Sequence, residues 1–81
     1  MKYFVYIMQS QIDKRLYKGI AKDPIIRIKG HNNGSTKSTK GFRPWKLVLT
    51  EEYKNRDEAR KREKFLKSGI GREYLKKLLD P

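Results

Sequence analysis

The chain contains no cysteine. That absence removes disulfide bridges, thiolate nucleophiles and every zinc site built on cysteine. It also fits a reducing compartment, because small secreted domains usually need covalent staples. Long apolar runs are missing too: no segment approaches the ~20 residues that a membrane helix requires. The apolar start M-K-Y-F-V-Y-I-M breaks at Gln9, Ser10 and Gln11 with no small-residue cleavage site, so it reads as a strand and not as a leader. The expected location is cytoplasmic. Acidic residues are scarce, 9 against 21 lysines and arginines, which leaves a net charge of +12. Such an excess speaks to partners and not to fold. Nucleic acid is the expected partner, DNA first with RNA as the other option, and no membrane. Repeats and low-complexity tracts are absent. The 81 residues make a single domain, 1–81, whose core is small: a chain this short buries roughly 60% of its unfolded surface.

Residues 3–9 are dense in aromatic and β-branched side chains, as strands are. A polar break follows at Gln9 to Lys14, and residues 15–21 make a second strand. Tyr17, Gly19 and Ala21 fall on one face of it, and Leu16, Lys18 and Ile20 on the other. A glycine inside a strand marks a close approach to the backbone. Asp23-Pro24 starts a helix, with Asp as cap and Pro at the first helical position. The helix runs to about Asn32 and stops at Asn33-Gly34. Ile25 and Ile28, flanked by Ile26, mark its core side, which turns Arg27 and His31, four residues apart, away from the centre of that stripe. Residues 35–44 carry hydroxyls, ammoniums and glycine without an apolar period and read as a loop. Lys37, Ser38, Thr39, Lys40 and Arg43 there are candidate phosphate donors; a solvated linker is the equally available reading. Trp45 to Tyr53 alternates as a third strand. Asn55, with Glu58 three residues on, opens a second helix in a variant of the capping box, which ends at Ser68-Gly69. A short third helix spans about Gly71 to Leu79. The order β-β-α-β-α-α predicts an α+β fold, a three-stranded sheet flanked by helices.

One residue breaks the amphipathic pattern of the second long helix. Ala59 and Leu66 define its apolar side, and Glu63 falls between them. A glutamate there needs a partner or a polar pocket. It could be a metal ligand; an ion pair with Arg62 or Arg27, or a helix tilted toward water, are the plainer readings. Tyr6 and Tyr17, taken alone, would be packing groups with satisfied hydroxyls. Trp45, Tyr53, Phe42 and Phe65 are expected to fill the core or its rim.

V-Y-I at 5–7, Y-K-G at 17–19, Arg27, His31 followed by Asn32, and A-R-K-R-E at 59–63 together resemble the GIY-YIG nuclease domain. The likeness covers nearly the whole chain. The loop from Gly34 to Lys40, P-W-K-L-V at 44–48 and R-E-K-x-L-K-S-G at 62–69 are similar to its small stand-alone, excinuclease-like members. The resemblance implies an antiparallel three-stranded sheet and hydrolysis of DNA phosphodiesters, in DNA repair or processing. It implies catalytic roles for Tyr6, Tyr17, Arg27, His31 and Glu63: Arg27 on the phosphate, Glu63 on a single Mg²⁺ or Mn²⁺ ion, and one of the two phenols as base. Val5 and Lys18 depart from the family triplets, and residues 69–74 lack an asparagine that many active members carry late in the domain. A module that binds nucleic acid without turnover is therefore the alternative. The expected state is a monomer, with a protein partner as one possible source of targeting.

Overall fold

The computed structural model describes residues 2–79. Strands β1 (Tyr3–Ser10) and β2 (Leu16–Ala21) are followed by helices α1 (Pro24–Asn32) and α2 (Lys37–Lys40), strand β3 (Trp45–Tyr53), and helices α3 (Arg56–Lys67) and α4 (Gly69–Leu79). The three strands form one sheet in the order β2-β1-β3, antiparallel throughout. β1 is central because its side chains suit burial on both faces. Val5 and Ile7 point to one side and Tyr6 and Met8 to the other, and all four are buried.

Each face has its own core. On one, Val5 and Ile7 pack with Ala59 and Leu66 of α3 and Leu75 of α4. On the other, Tyr6 and Met8 pack with Ala21 and Trp45, and with half-buried Tyr17, Ile28, Phe42 and Leu47. The register of β1 with β3 slips between Ile7 and Met8. Two residues then oppose one, and the strand's inward face changes sides. Trp45 and Leu47 therefore join the α1 core while Leu49 and Tyr53 join the α3 core.

The caps follow the local chemistry. Asp23 accepts from the amides of Ile25 and Ile26 at the start of α1, with Pro24 in the first turn. Asn55 accepts from the amide of Glu58 at the start of α3. The Ser68 hydroxyl accepts from the amide of Gly71, and α4 begins two residues earlier than the sequence pattern predicts. Gly71 has no room for a side chain: a Cβ there would overlap the Phe65 carbonyl oxygen and the Leu66 Cα. This close approach docks α4 onto the end of α3.

Two expectations fail. The segment 35–44 is not all loop, since α2 occupies its middle. That one-turn helix is held from outside, by Trp45 Nε1 donating to the Thr39 carbonyl at 2.8 Å. The apolar stripe of α1 is also misassigned. Ile25 and Ile26 are 55% and 66% exposed, while His31 is 2% exposed. The helix turns its histidine inward because two hydroxyls wait there for the ring nitrogens.

Candidate active site

Tyr6, at the centre of β1, lies opposite Gly19 of β2. A Cβ at Gly19 would stand 2.5 Å from the Tyr6 Cζ and Oη atoms. The glycine is there because the phenol lies against the strand backbone, the close approach that the sequence predicts. From that position Tyr6 Oη reaches His31 Nε2 at 3.0 Å. His31 Nδ1 lies 2.9 Å from Thr39 Oγ1, and the Thr39 hydroxyl donates to the Thr36 carbonyl at 3.2 Å. A carbonyl only accepts, so the single hydroxyl hydrogen of Thr39 is used there. Nδ1–H must then donate to Thr39, which leaves Nε2 as the acceptor for the Tyr6 hydroxyl. The chain of bonds assigns both the tautomer and the direction: Tyr6 to His31 to Thr39 to Thr36.

Tyr17, half-buried on β2, completes the aromatic wall. Its ring centroid is 5.1 Å from that of His31 and 6.3 Å from that of Tyr6. Asn32 holds the other side of the wall. Its amide donates to the Trp45 carbonyl at 3.0 Å and accepts from the Trp45 amide at 2.7 Å. The end of α1 is thereby locked to the start of β3.

Burial, then the neighbouring Tyr17, push the Tyr6 phenol up to about 12; Arg27 opposes the rise and Glu63 adds to it. Arg27 and Glu63 come from helices that pack on opposite faces of the sheet, and Glu63 is the weakest of these influences on the phenol. Burial, reinforced by Arg27, holds the His31 imidazole below its usual value, so the ring is neutral at pH 7. Unfolded, it titrates near ~6.5. Between the two pKa values only the unfolded chain takes up the proton, so this contribution to stability is whole above the unfolded value. It declines as pH falls through the window toward the folded one. Tyr6 gives the mirror case, with stability lost as pH rises from 10 toward about 12. Denaturant midpoints measured against pH should show both limbs. His31→Gln should flatten the acid one and Tyr6→Phe the alkaline one.

Glu63 sits where the sequence predicts, between buried Ala59 and Leu66, with its side chain 19% exposed. Its partner is neither Arg62 nor Arg27. It is Lys67, one turn on, at 3.4 Å, while Arg62 is engaged by Glu51 at 2.8 Å. An exposed lysine pair of this kind is worth ~0–1 kcal/mol, so another cation can displace it. No three His, Asp or Glu side chains cluster among the described residues. A lone carboxylate suits a hard ion that keeps most of its own waters, as Mg²⁺ does.

A cleft of about 570 Å³ is lined by Lys22, Asp23, Arg27, His31, Ser35, Thr36 and Arg56 among others; of the expected catalytic residues Arg27 and His31 line it, and Tyr6, Tyr17 and Glu63 do not. Of the loop residues expected to meet phosphate, Lys37, Ser38 and Lys40 lie outside the cleft lining. Arg43 is tied by its Nε to the Lys40 carbonyl at 2.7 Å. Thr39 is no donor to an incoming ligand: it is 1% exposed and its hydroxyl is spent between His31 and Thr36. The residues of this segment that line the cleft are earlier ones, Ser35 and Thr36. Sequence spacing could not separate them, because α2 carries no periodic signal.

Residues 2–75 match the family model of the GIY-YIG catalytic domain. The chain belongs to the GIY-YIG family. Two of its relatives are UPF0213 proteins from staphylococci. The one from Staphylococcus epidermidis is 45% identical over 76 residues, covering 93% of this chain and 92% of the relative. The one from Staphylococcus aureus is 45% identical over 67 residues, covering 82% and 80%. A solution NMR structure of a UPF0213 protein from Bacillus halodurans is 34% identical, with a TM-score of 0.58 over 96% of this chain and 85% of that one. GIY-YIG membership makes this a nuclease-family domain, and its expected three-stranded antiparallel sheet with flanking helices is the one observed. No helix among the described residues is long and apolar enough to cross a membrane.

Proposed function

We propose that the chain is a divalent-metal-dependent endonuclease that hydrolyses DNA phosphodiesters, in repair or processing of DNA. The observation that carries this reading is the directed chain Tyr6–His31–Thr39 beside a cationic cleft. In hydrolysis, a water oxygen bonds to phosphorus, the bond to the leaving sugar oxygen breaks, that oxygen takes a proton from solvent, and the proton of the attacking water must be taken up. Tyr6 Oη accepts that proton as its own passes to His31 Nε2. The phenol never carries a full charge, so its high pKa is no obstacle. The Tyr6 hydroxyl makes no other hydrogen bond among the described residues, which leaves it free to accept. His31 becomes an imidazolium whose Nδ1–H stays on Thr39.

Arg27, exposed on α1 at the cleft wall, presents its planar fork to the non-bridging phosphate oxygens. Ser35 and Thr36 add hydroxyl donors. Tyr17 orients the water or the phosphate. Glu63 would hold the ion, Mg²⁺ or Mn²⁺, which when bound relieves charge on the phosphate and on the leaving oxygen.

Nicking of supercoiled plasmid with Mg²⁺ tests the assignment. Glu63→Gln should abolish it. Arg27→Ala should slow it by about 10²–10³-fold, the usual cost of removing one charge-stabilising donor. Equal rates for the wild type and both variants would refute the site. Binding without any cutting would reduce the chain to a nucleic-acid-binding module.

A further inference from the structure

A second cationic groove lies on the other face of the sheet, between the edge strand β2 and α4. It has a volume of about 460 Å³ and is lined by Lys14, Lys18, Arg72 and Lys76, with Gln9 and the buried Leu75. Among the described residues, none of these four cations pairs with a carboxylate and no acidic residue lines the groove. We infer that this groove binds the backbone phosphates of the nucleic acid on the flank of the cleavage site. This extends the nuclease reading and rests on it only for which polyanion is named.

Three observations carry the inference. The groove lies on the same face of the sheet as α3, the helix that carries Glu63: Leu16 and Leu75 of the groove lining pack in one core with Ala59 and Leu66 of α3. Lys18 is half-buried, and burial together with Arg72 and Lys67 depresses its pKa. The site gathers like charges at a cost and offers them no counterion among the described residues. Lys14 takes φ 67 in the β1–β2 turn, a left-handed conformation that glycine or asparagine adopts more easily. The Gln9 amide, donating to the Lys14 carbonyl at 3.2 Å, helps to hold it there. The turn thus carries a cation of the groove lining where glycine or asparagine would sit more easily. A nucleic-acid backbone is favoured over an acidic protein because the chain belongs to a nuclease family and the groove gathers four cations that no carboxylate among the described residues neutralises.

The test is metal-free binding of fluorescein-labelled mixed-sequence duplex DNA, read by anisotropy across a NaCl series. Lys18→Gln and Arg72→Gln should each lower the slope of log K against log salt by about 0.9, the share of a single neutralised phosphate. Lys18→Arg should restore it. Unchanged melting midpoints keep misfolding out of the comparison. Tyr6→Phe should cut poorly yet keep the full slope. Wild-type slopes in both Gln variants would overturn the groove even if cutting persists. Loss of binding to polyglutamate with unchanged DNA slopes would overturn it in favour of an acidic protein. Should the chain never cut while the slopes fall as stated, the nuclease reading fails and the groove stands.

Discussion

Tyr6→Phe and His31→Gln should each slow Mg²⁺-dependent nicking by about 10²–10⁴-fold, the usual worth of a positioned acid–base group. The double variant should be scarcely slower than either single one. The reason is that the two residues act as one device. Phenylalanine keeps the ring and its packing but removes the oxygen that takes the water proton. Glutamine keeps polarity at position 31 but cannot receive the proton at neutral pH. Residues acting as a unit are grossly non-additive, and the cycle measures that directly. Two phenols acting independently would give a different pattern: Tyr17→Phe as harmful as Tyr6→Phe, and losses that multiply. Thr39→Val adds a check on the tautomer. It removes the acceptor of His31 Nδ1–H, 2.9 Å away, and should move the pH profile of nicking without removing a group that touches substrate.

Much of this arrangement is legible along the chain where the cause is local. The caps at Asp23 and Asn55 are side-chain to backbone bonds within three residues, and both are found where the sequence places them. Gly19 announces a close approach, and the phenol of Tyr6 is what approaches. Glu63 is conspicuous because it interrupts an apolar face. What stays hidden depends on partners distant in sequence. His31 reads as a solvated residue until Tyr6, twenty-five positions away, and Thr39, eight positions away, satisfy both of its nitrogens. With those bonds made, burying an imidazole no longer leaves a polar group unpaired, so Ile25 and Ile26 give up the inward side. The α2 turn is hidden for the same reason, since its holding bond comes from Trp45. The slip in register at Ile7 and Met8 has no mark in an alternating strand pattern, yet it decides which core each half of β3 joins. The partner of Glu63 is equally non-obvious: Glu51, eleven residues before Arg62, claims that guanidinium first.

Gly19→Ala should be the most damaging small change near the site. A single methyl would meet Tyr6 Cζ and Oη at 2.5 Å and Cε1 at 2.7 Å. The ring has little space to retreat into, because Tyr6 is 2% exposed and packs with Met8, Ala21 and Trp45. Two responses are open. The edge strand bows outward, or the phenol swings off His31 Nε2. Overpacking of this kind costs typically ~1–3 kcal/mol, which equilibrium denaturation would read. If the phenol moves, nicking should fall as far as in Tyr6→Phe while DNA binding holds. Gly19→Ala combined with Tyr6→Phe separates these causes. Removing Oη relieves one of the two shortest contacts, so part of the stability should return, but none of the activity. A Gly19→Ala protein that is destabilised yet cuts at the wild-type rate would mean that β2 yields instead, and that the position of the Tyr6 hydroxyl does not set the rate.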